Sequence, residues 1–130
     1  MRILVCGTRN FTSKEAILRV LNQVDKGSLV IAGEARGADT IAKILAKDLG
    51  LEYLGFPADW NRYGRGAGTI RNQQMLDEGR PNVIYAFYMD QEDRRNSKGT
   101  KDMVRRAQKA KLPVTEFIQN HILTNGKEQI

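Results

Sequence analysis

The sequence predicts an α/β fold, a Rossmann-like three-layer sandwich with a mainly parallel sheet of about five strands. Three observations predict it. Five short runs of β-branched and apolar residues recur along the chain, segments of helical periodicity lie between them, and glycine or proline closes or flanks the runs. Strands alternating with helices form βαβ units, which bury a parallel sheet between two helical layers.

The first strand is residues 2–6, ended by Gly7. Thr12 is read as the N-cap of the first helix, with Glu15 three residues later completing a capping box. Ile17, Leu18, Leu21 and Val24 then recur at helical spacing as far as Gly27. Residues 28–32 form the second strand, stopped by Gly33. A helix over 37–49 carries Ile41, Ile44, Leu45 and Leu49 on one face, with Gly50 as its stop. The third strand, 51–56, ends at Pro57, and 58–68 is a loop rich in glycine and arginine. A helix over 69–78 is broken by Gly79-Arg80-Pro81-Asn82. The fourth strand is 83–87, and the polar stretch 89–98 reads as a solvated loop. Gly99 opens a helix carrying Met103, Val104, Ala107 and Ala110, and 113–118 is the fifth strand. The chain thus divides into one domain, 1–118, and a C-terminal tail or arm, 119–130. In that tail Asn125-Gly126 suits a hairpin turn, a frayed end, or an arm that pairs with another subunit.

A length of 130 residues suits one core, and 41% hydrophobic with 28% charged residues excludes a disordered or fibrous chain. No apolar run approaches the roughly 18–20 residues that span a bilayer. The opening Met1-Arg2-Ile3-Leu4-Val5-Cys6-Gly7 is too short in apolar residues for a signal peptide, so a cytoplasmic protein is expected. The lone Cys6 stands in an apolar run and reads as a small core residue.

The formal charge of +6 and pI near 9.7 suit nucleic acid, a membrane surface or small acidic ligands. Many of the cations stand in glycine-rich or loop segments, Arg9, Arg36, Arg62 and Arg65 among them. No long basic tail is present. That distribution favours a small anion over a nucleic acid and gives no reason to expect a membrane.

In an open α/β sheet the ligand crevice lies outside the carboxyl ends of the strands. Those ends here run into Gly7-Thr8-Arg9, Gly33-Glu34-Ala35-Arg36-Gly37-Ala38-Asp39, Pro57-Ala58-Asp59-Trp60 and Ser97-Lys98-Gly99-Thr100. Glycine lets backbone N–H groups approach an oxyanion, the next helix N-terminus adds positive potential, and arginine forks onto phosphate. Arg65, and Arg71 with Asn72 at a helix start, extend the set. Each has a structural alternative. Gly7 permits a tight turn, Asp39 steadies a first helical turn, and Trp60 packs as a lid or stacks on a base.

The full phosphate-loop pattern, the three-glycine dinucleotide pattern, a nucleophile elbow and a metal-spaced Cys/His cluster do not occur. No metal or cofactor is expected. Glu34 and Asp39 are the first candidates for acid/base carboxylates, with Asp59 and Asp102 behind them.

Three stretches are familiar together: Gly33 to Asp39, Phe56 to Trp60, and Gly64-Arg65 with Gly68-Thr69-Ile70-Arg71-Asn72. The chain resembles the YspA-like family of the SLOG superfamily, alongside the LOG phosphoribohydrolases and the DNA-processing Smf proteins, over about residues 2–114. The resemblance implies a Rossmann-like sheet, a nucleotide-derived small-molecule ligand and a homodimer or larger assembly. It also implies that Gly7, Arg9, Gly33, Arg36, Gly37, Asp39, Arg71, Asn72, Gly99 and Thr100 line the site.

One departure stands out. Asn96 and Ser97 replace the first two glycines of the superfamily's phosphate loop, and Asp102 stands near the hydrolases' glutamate. The resemblance therefore favours a sensor or sequestering protein. The alternative is an N-glycosidic hydrolase in which Glu34, Asp39 or Asp102 acts on the ribose or on water while Arg36 and Arg71 hold the phosphate. Nucleic-acid binding is the third reading.

Overall fold

The computed structural model describes residues 1–124 and 127–128. Strand β1 (Arg2–Gly7) lies at the heart of the sheet, with β2 (Leu29–Ala32) on one side and β4 (Val83–Tyr88) on the other. Both pairings are parallel, with Leu4 opposite Ile31 and Val5 opposite Tyr85. Beyond β2 lies β3 (Glu52–Gly55), and beyond β4 lies β5 (Val114–Ile118), again parallel. The order is β3-β2-β1-β4-β5, extended by two antiparallel strands, β6 (His121–Thr124) and β7 (Lys127–Glu128). The Rossmann-like α/β sandwich is thus present, with five parallel strands as expected and the tail strand β6 paired to β5. The suggested turn at Asn125-Gly126 lies outside the described residues.

Side chains alternate across each strand, so the sheet divides the core in two. Ile3, Val5, Val30 and Phe87 pack with α1 (Lys14–Leu21) and α2 (Ala38–Asp48). Leu4, Cys6, Ile31, Ile84 and Ala86 pack with α4 (Ala67–Gly79) and α6 (Lys98–Lys109). Burying each β-strand Ile, Leu or Val contributes about 1.5–3 kcal/mol, so the central strand alone anchors both helical layers. Phe87 stacks on Phe117 with ring centroids 4.7 Å apart.

Several expectations are corrected. Ser13, not Thr12, caps α1: its hydroxyl accepts the Ala16 N–H at 3.3 Å. The helix stops at Leu21 with Asn22 as its cap, well short of Gly27. On α2 the buried face is Ala38, Ala42, Leu45 and Ala46, and Ile44 is half exposed, because small residues let this helix sit close to the sheet.

The stretch 58–68 is not an irregular loop. Asp59 accepts the Arg62 N–H at 3.1 Å and caps the short helix α3 (Trp60–Tyr63), and a 3-10 turn, Gly64–Gly66, leads into α4. Nor is 89–98 only a loop. Asp90 caps α5 (Gln91–Asn96) by accepting the Asp93 N–H at 2.8 Å, with acids in its first turn and Arg94 and Arg95 in its last. That charge order suits the helix dipole. No helix among the described residues is long and apolar enough to cross a membrane.

From β1 the chain winds outward through β2 to β3, and α4 then carries it back across to β4 on the far side of β1. The carboxyl ends of β1 and β4 therefore form the switch point at which connections diverge, and a crevice opens there.

Candidate functional site

A cleft of about 480 Å³ opens at this switch point. Its floor is the end of β1, Cys6 to Asn10. One wall is the start of α4, with Arg65, Gly68, Thr69, Arg71 and Asn72, and the other is the α5–α6 junction, Asn96 to Thr100. Asp39 of α2 and Trp60 of α3 complete it. Gly7 is required for this closure: a Cβ there would come within 2.6 Å of both Ala38 Cβ and the Phe87 carbonyl.

Arg71 is held from two sides. Its Nη1 donates to the Gly33 carbonyl, and its Nε donates to Asn72 Oδ1 at 3.2 Å. Burial pushes its pKa below the ordinary arginine value, although the Asp39 carboxylate opposes this. Asn72 turns its amide the other way, donating to the Gly99 carbonyl at 3.1 Å and to Asp102 at 3.0 Å. The α4 and α6 walls are thereby tied together.

Asp39 is buried at the cleft and accepts the Ala35 N–H at 3.1 Å. Burial pushes its carboxyl up to about 6; the Ala35 amide and the Arg71 guanidinium pull the other way but do not prevail. Burial likewise pushes the Cys6 thiol far up, in keeping with the core role expected of it.

Neither α4 nor α6 has a side-chain N-cap, and the first turns of both helices line the cleft through Gly68-Thr69 and Ser97 to Thr100. Arg9, Arg65, Arg71 and Lys98 line the cleft against two carboxylates, Asp39 and Asp93. Such an arrangement attracts an anion.

Gly7, Thr8, Arg9, Asp39, Trp60, Arg65, Arg71, Asn72, Gly99 and Thr100 are brought together here. Gly33, Glu34 and Arg36 line a neighbouring hollow instead. Gly37 lines neither: with φ +81°, its missing Cβ leaves room for the Thr8 and Arg9 carbonyls. Asp102 also stands outside, its carboxylate bound by Asn72, by Arg106 at 2.9 Å and by Arg105 at 3.9 Å.

Residues that sequence reasoning left out of the site include Asn10, Thr69 and Asp93. The Asp90-x-x-Asp93 spacing was the signal for α5, and α5 is what brings 96–98 to the cleft. A larger groove of about 1050 Å³ runs along the other side of α4. Asp59, Asp77 and Glu78 line it against Arg62 and Arg106, and Arg106 is already bound to Asp102 and Gln73, so the groove suits a phosphate less well than the cleft does.

A parallel sheet ordered 3-2-1-4-5 with a glycine-edged cationic cleft at its switch point defines a Rossmann-like α/β protein. The chain belongs to the YspA, cpYpsA-related SLOG family, whose model matches residues 1–63. It is also 35% identical over 127 residues to the Gene 61 protein of Mycobacterium phage D29, covering 89% of this chain and 95% of that protein. The family model's stretch, 1–63, contains Gly7 to Arg9, Gly33 to Asp39 and Trp60, whereas the α4 and α6 walls lie beyond it.

Proposed function

We propose that the cleft binds a phosphate-bearing nucleotide or nucleotide-derived signal and that the protein senses or sequesters it. One observation carries this reading: Arg9, Arg65, Arg71, Lys98 and the first turns of two helices converge on a single cleft. Its volume falls in the range of about 300–1,000 Å³ typical of small-molecule sites. Two or three charge-assisted hydrogen bonds, each worth about 1.5–3 kcal/mol, are enough for roughly micromolar affinity. Half-exposed Trp60 at the cleft offers a face on which a base can stack. Membership of a SLOG family supports the same ligand class.

A second reading, N-glycosidic hydrolysis, is favoured by Asp39 alone. A carboxyl raised to about 6 inside the cleft has the proton affinity that general acid/base chemistry needs. Asp102 is engaged elsewhere, and Glu34 accepts from Tyr53 at 2.9 Å and from Lys43 at 3.3 Å.

Native mass spectrometry after incubation with nucleotides, dinucleotides and ADP-ribose tests both readings. An intact retained adduct is the expected result. Release of free base instead makes the protein a hydrolase, and binding of neither kind, with oligonucleotide binding that falls steeply with salt, makes it a nucleic-acid protein.

A further inference from the structure

We infer that the outer face of α6 is an interaction surface for the sugar-phosphate backbone of a nucleic acid, separate from the cleft. Thr100, Met103, Val104 and Ala107 face the core. Lys98, Lys101, Arg105 and Lys109, spaced by three, four and four positions, form one row on the opposite side of the helix. The row is about 16 Å long at about 1.5 Å per residue. Lys98, Arg105 and Lys109 are exposed and Lys101 is half-buried, while exposed Arg95 and Lys111 stand just beyond the two ends of the helix. Asp102, the one acid of α6, is turned toward Asn72 and Arg106. Arg105 meets it only at 3.9 Å and keeps 67% of its side chain exposed.

Helix stability does not account for this row. Cations suit the last turn of a helix, yet Lys98 and Lys101 stand at its start, where the dipole opposes them, and no acid occupies the first turn. Lys101 with Arg105, and Arg105 with Lys109, set like charges four positions apart, which destabilises a helix. The helices α1, α2 and α4 each mix both signs, whereas α6 carries five cations and one acid. A row of one sign kept against local energetics points to a partner that brings the opposite charge.

The partner that matches is a polyanion of repeating charge. One strand of a duplex carries a phosphate about every 3.4 Å, so the row faces about five of them. Lysine meets a phosphate as a point charge on a flexible stem, which holds a backbone without reading bases. A membrane surface fits less well, because a helix lying on lipid exposes an apolar flank. No large hydrophobic side chain of α5 or α6 is exposed.

Fluorescence anisotropy with a labelled single strand of about 20 nucleotides and the matching duplex, between about 50 and 200 mM salt, tests this. The wild type is compared with two triple variants of equal charge. One is Lys101→Gln/Arg105→Gln/Lys109→Gln on the row, and the other is Lys14→Gln/Arg19→Gln/Lys47→Gln at exposed positions of α1 and α2, on the other side of the sheet. Lys98 stays in place because it also lines the cleft. The wild type is expected to bind with affinity that falls as salt rises. The row variant should bind at least about tenfold more weakly at about 50 mM salt, and its log–log salt slope on duplex should shrink by about 2–3, while the other variant stays within about twofold of wild type. No binding by wild-type protein with an intact melting transition overturns the surface. An equal loss in both triple variants overturns it too, since net charge alone then explains the binding. Capture by phosphatidylserine vesicles without binding of either oligonucleotide overturns it in favour of a membrane. None of the six substituted residues lines the cleft, so nucleotide retention there is tested independently.

Discussion

The Thr8 hydroxyl donates to Asp93 Oδ2 at 2.6 Å, joining the end of β1 to a helix 85 residues later in the chain. The same oxygen accepts the Met89 N–H at 2.9 Å. One carboxylate thus holds both margins of the switch point, and the residue beside it, Arg94, pins α5 to Glu116 of β5. The cleft wall from Asn96 to Lys98 follows directly from this double attachment.

Asp93→Ala is expected to cost about 1–3 kcal/mol of stability, because the buried Thr8 hydroxyl and the Met89 amide lose their acceptor. In a double-mutant cycle with Thr8→Val, measured by urea unfolding, the two costs should fall short of additive. Full additivity would mean that the hydrogen bond does not contribute.

Arg71→Lys keeps the charge but loses the fork that meets Gly33 and Asn72. Ligand affinity should fall by about 10- to 100-fold, matching one charge-assisted contact of about 1.5–3 kcal/mol. Calorimetry on whichever nucleotide is retained measures it. Unchanged affinity would move the phosphate away from Arg71.

Gly37→Val should destabilise the fold rather than block a ligand selectively. A side chain at φ +81° is strained, and its Cβ would run into the Thr8 and Arg9 carbonyls. A loss of about 2 kcal/mol or more in thermal or urea unfolding is expected from strain and overlap together. A variant with wild-type stability would contradict this.

The three central strands, β1, β2 and β4, were legible because each is a short apolar run, and a strand buried on both faces leaves that trace in sequence. The glycines at Gly7 and Gly33 marked the strand ends for the same reason. What periodicity missed were α3 and α5, four and six residues long, held by Asp59 and Asp90 caps rather than by an apolar face. The boundary between the cleft and the neighbouring hollow was also hidden. Glu34 and Asp39 stand five positions apart across the glycine-rich turn into α2, yet Glu34 leans toward Gly55 and Tyr53 of β3 while Asp39 faces the cleft. Only the packing of β3 separates them.

Asp39 and Glu116 should tilt the pH profile of stability in opposite directions. The folded pKa of Asp39 is raised to about 6, so the folded state binds the extra proton and this contribution fades as pH rises from about 4 through 6. At one unit per about 1.36 kcal/mol the loss reaches up to about 3 kcal/mol. Glu116 behaves in reverse. Burial alone would raise its pKa, but Arg94 at 3.0 and 3.1 Å and the Tyr88 hydroxyl at 2.7 Å prevail and hold it below the ordinary glutamate value. Its contribution is present above the unfolded pKa of about 4.3 and is lost as pH falls through the lower folded value. Urea unfolding from pH 3 to pH 8 therefore separates the two. Asp39→Asn should flatten the decline between about pH 4 and 6 and leave the acid limb intact. Glu116→Gln should lower stability at neutral pH and shrink the acid limb, because the Arg94 guanidinium loses its charged partner. An Asp39→Asn profile that still declines through pH 6 would mean that this carboxyl ionises freely in the folded protein.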